Sequence, residues 1–173
     1  RLNASRWGFF WGELETNPVP NPLAQIAVAS YKCNFGDTSL IYKHDTAPAF
    51  RTSLQTLDHR FVRNVGGVGI TAEGAFQWGR KGGLDHEAWA ATVRADFTAG
   101  GPIKLYAEAN VATGGGSATK GRTFDNLYPT NHQYYGMMDL QGWSNMKGFA
   151  VGASWSASSD LAFDVSYHDL SLY

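Results

Sequence analysis

The chain has 173 residues, a formal net charge of −1 and a single cysteine. Charged residues make up 17% of it, below the ~25% of an average globular protein, while glycine (20 residues) and aromatic residues (14%) are abundant. This composition excludes a nucleic-acid-binding tail, an intramolecular disulfide and a cysteine-rich zinc module. It predicts a weakly charged β-protein with no nucleic-acid partner.

The first third of the chain contains weakly patterned segments that we predict as strands. They lie near Ser5 to Leu14, Ala24 to Lys32, Ser39 to His44 and Leu57 to Asn64. The rest of the chain alternates apolar and polar residues with a period of two, which is typical of a β-strand with two different faces. The alternating segments are Val68 to Trp78, Trp89 to Phe97, Ile103 to Val111, Phe149 to Ser156 and Leu161 to His168.

The connections between these strands are predicted to alternate in length. The longer ones are 16–23, 45–56, 79–86 and 113 to about 142, and the shorter ones are 33–38, 65–67, 99–102 and 157–160. Long and short loops would therefore lie at opposite ends of one sheet. Outer-membrane barrels combine short periplasmic turns with longer external loops, and their tilted strands need about nine to eleven residues to cross the bilayer.

The two faces of the alternating strands differ in chemistry. One face carries aromatic residues near the strand ends, as at a membrane interface: Trp78, Trp89, Phe97, Trp155 and Phe163. The other face is polar, and we predict that it lines a hydrated pore with Glu73, Gln77, Arg94, Asp96, Lys104, Glu108, Asn110, Asp164 and His168. The alternative is that these polar residues form the solvated outer face of a β-sandwich.

The fold predicted from these patterns is an all-β, antiparallel, up-and-down transmembrane β-barrel forming one domain over residues 1–173. The visible pattern comprises about nine strands, whereas an open aqueous channel needs about sixteen or more. The chain also ends at Tyr173 in mid-pattern. We therefore expect an incomplete segment of a larger barrel.

The long connection carries the most specific sequence, TFDNLYPTNHQYYG at residues 123–136, followed by Gly142 to Asn145. This run is similar to a long-loop signature of the bacterial alginate-export-like outer-membrane porins. The strand AEGAFQWG at residues 72–79 and the strand LAFDVSYH at 161–168 also resemble strands of that family. The resemblance covers about residue 57 to residue 173.

The resemblance implies an outer-membrane barrel of a Gram-negative bacterium that conducts solutes or exports an anionic polysaccharide. The family's alginate exporter has an electropositive pore, and this chain departs from that pattern. In the five strands that alternate most clearly, the polar face carries two basic residues and four acidic ones. The basic residues are Arg94 and Lys104, and the acidic residues are Glu73, Asp96, Glu108 and Asp164. We therefore expect a less selective porin for small or anionic solutes, saccharides among them.

The residues near the external loops form a second candidate set. We predict a pore mouth or constriction made by Arg80, Lys81, Lys120, Arg122, Phe124, Asp125, Tyr128 and Tyr134. Basic side chains there would concentrate anions, and Pro129 with the aromatic residues would order a loop that folds inward. The alternatives are loop charges exposed to water or lipopolysaccharide phosphates, and an external loop packed only on its neighbours.

No residue pattern indicates catalysis. The five histidines show no metal-binding spacing, Gly114 to Ser117 lacks the rest of a phosphate-binding motif, and we expect no cofactor and no metal. The expected partners are outer-membrane lipid, lipopolysaccharide and a small solute or saccharide. Two other functions stay open: a secreted β-sandwich or barrel that binds carbohydrate, and a barrel component of a larger export or electron-transfer assembly.

Overall fold

A computed structural model describes residues 5–15, 20–46, 51–127 and 142–173. All regular structure within these ranges is β-strand. The strands are β1 (Arg6–Glu15), β2 (Pro20–Cys33), β3 (Gly36–Asp45), β4 (Thr52–Val65), β5 (Val68–Lys81), β6 (Leu84–Gly100), β7 (Ile103–Ala112), β8 (Lys120–Gly121), β9 (Met146–Ser156) and β10 (Ala162–Leu172). No helix of the described ranges is long and apolar enough to cross a membrane.

The strands form a single sheet in which the long strands pair in chain order. The order is β1-β2-β3-β4-β5-β6-β7-β9-β10, and every one of these neighbours is antiparallel. The short strand β8 pairs in parallel with β6. The predicted all-β, up-and-down antiparallel fold is confirmed. The sheet is open, and β1 and β10 are its edges. This arrangement is consistent with part of a barrel.

The central strands are longer than the sequence pattern predicted. β4 and β5 have 14 residues each and β6 has 17, whereas strands of soluble proteins usually have about five or six. The prediction of a long connection over residues 79–86 is wrong, because β5 continues to Lys81 and β6 begins at Leu84. Gly82 and Gly83 have φ values of +60° and +83°, which allow a two-residue hairpin turn at that place.

Directly paired residues share a face of the sheet, so the register defines two faces. The aromatic face includes Phe76 paired with Trp89, and Trp155 paired with Phe163 at a ring distance of 5.6 Å. All five aromatic residues predicted for this face are exposed on it. The polar face includes Glu73 paired with Thr92, and Arg94 paired with Glu108.

The buried core of the protein lies on the polar face, where chain from the long connection covers the sheet. The cluster consists of Ala75, Ala88, Ala90, Ala112, Phe124 and Met146, with Trp143 packed against it. Small alanine side chains on β5, β6 and β7 leave room for the large ring of Phe124. The polar face therefore has an apolar patch, and the connection between β7 and β9 packs on it.

Gly79 is a position on β5 that requires glycine. Its φ is +134°, and a Cβ there would collide with the carbonyl oxygen of Ser53 on the neighbouring strand. We expect Gly79→Ala to lower the free energy of unfolding by about 2 kcal/mol, through backbone strain and this contact. Chemical denaturation in detergent measures the change.

Gly74→Ala is the matched control within the same strand. A Cβ at Gly74 would meet only the carbonyl oxygen of Ala90, at 4.0 Å, and the φ there is not positive. We expect this variant to change the free energy of unfolding by less than about 0.5 kcal/mol. Equal effects of the two substitutions would show that the backbone of Gly79 is not constrained.

Candidate functional site

The connection after β7 returns over the sheet, and we call residues 113–127 the return segment. Thr113, the first residue of this segment, is hydrogen-bonded to β6. Its N–H donates to the carbonyl of Trp89 at 2.9 Å, and its Oγ1 accepts from the Trp89 N–H at 3.0 Å. Further along, β8 pairs with β6, so that Asp85 lies opposite Lys120. The return segment is thus tied to the part of β6 that extends beyond β7.

Phe124 anchors the return segment by packing. Its side chain is 5% exposed, and its ring meets the ring of Trp143 edge to face at 5.6 Å. The Phe124 N–H donates to the carbonyl of Thr113 at 2.9 Å, and the carbonyl of Phe124 accepts from Ser144 Oγ at 2.7 Å. Both ends of the long connection therefore meet at Phe124, above the alanine patch.

Gln77 anchors the next residue by hydrogen bonds. Its side-chain amide donates to the carbonyl of Asp125, and its Oε1 accepts from the Asp125 N–H, each at 2.8 Å. The same amide nitrogen also donates to Thr56 Oγ1 at 3.2 Å. Gln77 is 0% exposed, so these bonds satisfy a fully buried amide and fix the main chain at Asp125.

Two lysines hold the carboxylate of Asp125. Lys81 Nζ lies 2.7 Å from Asp125 Oδ2, and Lys43 Nζ lies 3.4 Å from the same oxygen. Burial alone would raise the pKa of Asp125, but the Lys81 hydrogen bond and the charges of both lysines outweigh it. They hold the pKa of this carboxyl below its usual range. The carboxylate is therefore charged at neutral pH.

A second network of charges occupies the polar face on β6 and β7. Arg94 contacts Asp96 at 2.8 Å and Glu108 at 3.4 Å. Its guanidinium lies 3.8 Å from the centre of the Tyr106 ring, and Asn110 donates to Glu108 at 2.6 Å. The sequence proposed these carboxylates as separate pore-lining groups, and the structure joins them through one arginine.

The other residues predicted to line a pore also lie on the polar face. Glu73 on β5 pairs with Arg60, with an ion-pair distance of 3.7 Å. Lys104 on β7 and Asp164 on β10 both face Ser154 of β9, so a strand separates them. His168 lies 3.2 Å from Ser166 Oγ on the same strand. The set is thus spread over the sheet and does not converge on one point.

The predicted mouth residues are divided between the two faces. Lys81 joins Asp125 on the polar face, whereas Arg80 points to the aromatic face and pairs with Asp85 at 3.6 Å. Lys120 contacts Glu87, a neighbour of Trp78 on the aromatic face, at 2.7 Å. Arg122 is exposed. These four basic residues do not form one cluster, and Tyr128 and Tyr134 lie outside the described residues.

Sequence reasoning missed several basic residues of the polar face, among them Lys43 and Arg60. Lys43 follows Ile41 and Ser39 at alternate positions of β3, and Arg60 follows Asp58 on β4. Both strands also carry polar side chains on the aromatic face, such as His59, so their alternation did not distinguish the faces. The only signal that could have identified Lys43 was its position in register with the polar residues of the strands that alternate more clearly.

No metal centre is formed within the described ranges. No three His, Cys, Asp or Glu side chains there are grouped so that they could hold an ion.

A wide up-and-down antiparallel sheet with an exposed aromatic face and a charged opposite face is consistent with part of an outer-membrane barrel. A sequence model described as "Alginate export" matches residues 21–172, and the chain belongs to that family. The resemblance stated from the sequence is confirmed. The family is one of outer-membrane transport porins, not of enzymes. No curated protein matches the chain significantly.

Proposed function

We propose that the protein forms an outer-membrane channel for small solutes, in which the polar face lines the lumen and the return segment narrows it. The observation that carries the proposal is the anchoring of Asp125 on the polar face by Gln77, Lys43 and Lys81. A connection fastened by its main chain and by a buried charge stays over the lumen rather than outside the barrel.

The aromatic face supports a membrane location for this sheet. Trp78, Trp89 and Trp155 are all substantially exposed there, as are the aliphatic side chains of Val93, Leu105 and Val151. In water such a broad apolar surface would be unusual for a monomer, whereas in a bilayer it meets hydrocarbon and headgroups. Lipid and lipopolysaccharide of the outer membrane are the partners that this face fits.

The charges of the polar face favour a weakly selective channel. Arg60 pairs with Glu73, Arg94 with Asp96 and Glu108, and the two lysines with Asp125. Since these basic groups are countered by carboxylates, the lumen lacks the uniform positive potential that would select a polyanion. Small solutes of either charge, and saccharides, fit this lining.

Conductance in planar lipid bilayers tests the proposal. We expect stepwise currents with weak ion selectivity, and we expect Arg94→Gln to shift the selectivity towards cations, because Asp96 and Glu108 lose their counter-charge. Arg63→Gln is the matched control, since Arg63 lies on the aromatic face over the Phe61 ring. Absence of currents from a protein that is soluble without detergent, together with glycan binding, would instead support a secreted carbohydrate-binding protein.

A further inference from the structure

The imidazole of His86 is buried between the sheet and the return segment. His86 is 5% exposed and lies on the polar face of β6, where it pairs with Gly79 of β5 and with Gly121 of β8. A Cβ at Gly121 would lie only 3.3 Å from Nδ1 of the ring, so the glycine lets the return segment come close to it. The return segment therefore covers this histidine.

One nitrogen of the His86 ring has no hydrogen-bond partner. Its Nε2 is buried, and no described residue donates to it or accepts from it. A neutral imidazole tolerates this arrangement, because Nε2 can be the nitrogen that carries no proton. A protonated imidazole has an N–H on both nitrogens, so Nε2 would become a buried, charged donor without an acceptor. The covered position thus disfavours the charged form of the ring.

The charged groups around His86 do not supply that acceptor. Those on the same face are Lys81 of β5, Asp125 of the return segment, and Lys43 and Asp45 of β3. Two basic and two acidic groups have no net charge, so the burial of Nε2 decides which form of the ring is stable. In β8, Lys120 contacts Glu87 on the aromatic face, and the next side chain, Arg122, is exposed.

We propose that His86 is a pH sensor, and that protonation of its imidazole releases the return segment from β6. The effect on the current rests on the proposed function, because release widens the lumen only if the bound segment narrows it. Histidine in water takes up a proton near pH 6.5, so the released segment exposes a ring that becomes charged in mild acid. Since the covered ring excludes this proton, release becomes more favourable as the pH falls.

Hydrogen exchange of residues 119–127 in the detergent-solubilised protein tests the release. Rates are compared at about pH 7.5 and about pH 5.5, on either side of the ordinary histidine pKa, and each is divided by the intrinsic exchange rate at that pH. We expect the equilibrium constant for opening to be about tenfold larger at the lower pH, the effect of one proton taken up only in the open state. Asp125 stays charged throughout, because the two lysines hold its pKa below its usual range.

His86→Leu removes the titrating group and keeps an apolar side chain of similar size in its place. We expect its corrected exchange to be the same at both pH values. His59→Gln is the matched control, since His59 is exposed on the aromatic face of β4 and bonds Thr38. It should keep the tenfold change. If His86→Leu does not fold, His86→Gln takes its place, because a glutamine side chain does not titrate either.

Equal corrected exchange at both pH values in the unaltered protein would overturn the proposal, and so would a tenfold change that persists in His86→Leu. In planar bilayers we expect the current step of the unaltered protein to grow on acidification and that of His86→Leu to stay constant. Exchange in detergent needs no current. A change of exchange that depends on His86 in a protein without currents would support the sensor and contradict the channel, so the two proposals can fail separately.

Discussion

Replacing Gln77 with alanine is expected to release the return segment from the sheet while the strands stay paired. The substitution leaves the N–H and the carbonyl of Asp125 without their partner, and a buried group left unsatisfied costs about 1–3 kcal/mol. We therefore expect the opening of this segment to become easier by about 3 kcal/mol. Hydrogen exchange of residues 122–127 measures it.

If the return segment narrows the lumen, Gln77→Ala should also enlarge the current step in bilayers. Gln55→Ala is the control, because Gln55 lies opposite Trp78 on the aromatic face. It should change neither the exchange of residues 122–127 nor the current. Unchanged exchange in Gln77→Ala would mean that Phe124, Lys43 and Lys81 hold the segment without the buried amide.

Replacing Phe124 with alanine is expected to give the largest loss of stability. The Phe124 ring packs on the alanine side chains of the sheet, and its centre lies 5.6 Å from the centre of the Trp143 ring. Truncating a buried phenylalanine to alanine costs about 3–5 kcal/mol, since it removes apolar contact and leaves a cavity. Denaturant unfolding in detergent, followed by tryptophan fluorescence, reports the change.

The same substitution at Phe35 controls for the loss of an aromatic ring as such. Phe35 lies in the turn between β2 and β3 and is 75% exposed. Its replacement by alanine should cost less than about 0.5 kcal/mol. A loss in Phe124→Ala that is as small would contradict the packing described for the return segment.

The alternation of apolar and polar residues predicted the strands and their faces well, because successive side chains of a β-strand point to opposite faces of the sheet. Trp78, Trp89 and Phe163 lie on one face as expected. The turn between β5 and β6 was misplaced for a physical reason. Arg80, Lys81 and Asp85 have the composition of a loop, yet they continue the ladder on both sides of the turn at Gly82 and Gly83.

The anchoring of the return segment was beyond the reach of sequence reasoning. Gln77 and Asp125 are separated by 48 residues, and nothing local to either residue indicates the other. Whether the long connection folds inward or packs only on its neighbours was therefore left open. Phe124 and Asp125 were selected for their chemistry, and only the register that aligns β3, β4 and β5 reveals why the chain returns to that point.

The pairing of β8 with β6 has a consequence for the exposed backbone of the sheet. β6 continues past the last residue of β7, and without the return segment the backbone groups from Asp85 to Trp89 would form a bare strand edge. Such an edge recruits strands from other molecules. Thr113, Thr119 and Lys120 pair with this part of β6, so the return segment closes a stretch of strand edge that lies inside the sheet rather than at its β1 and β10 borders.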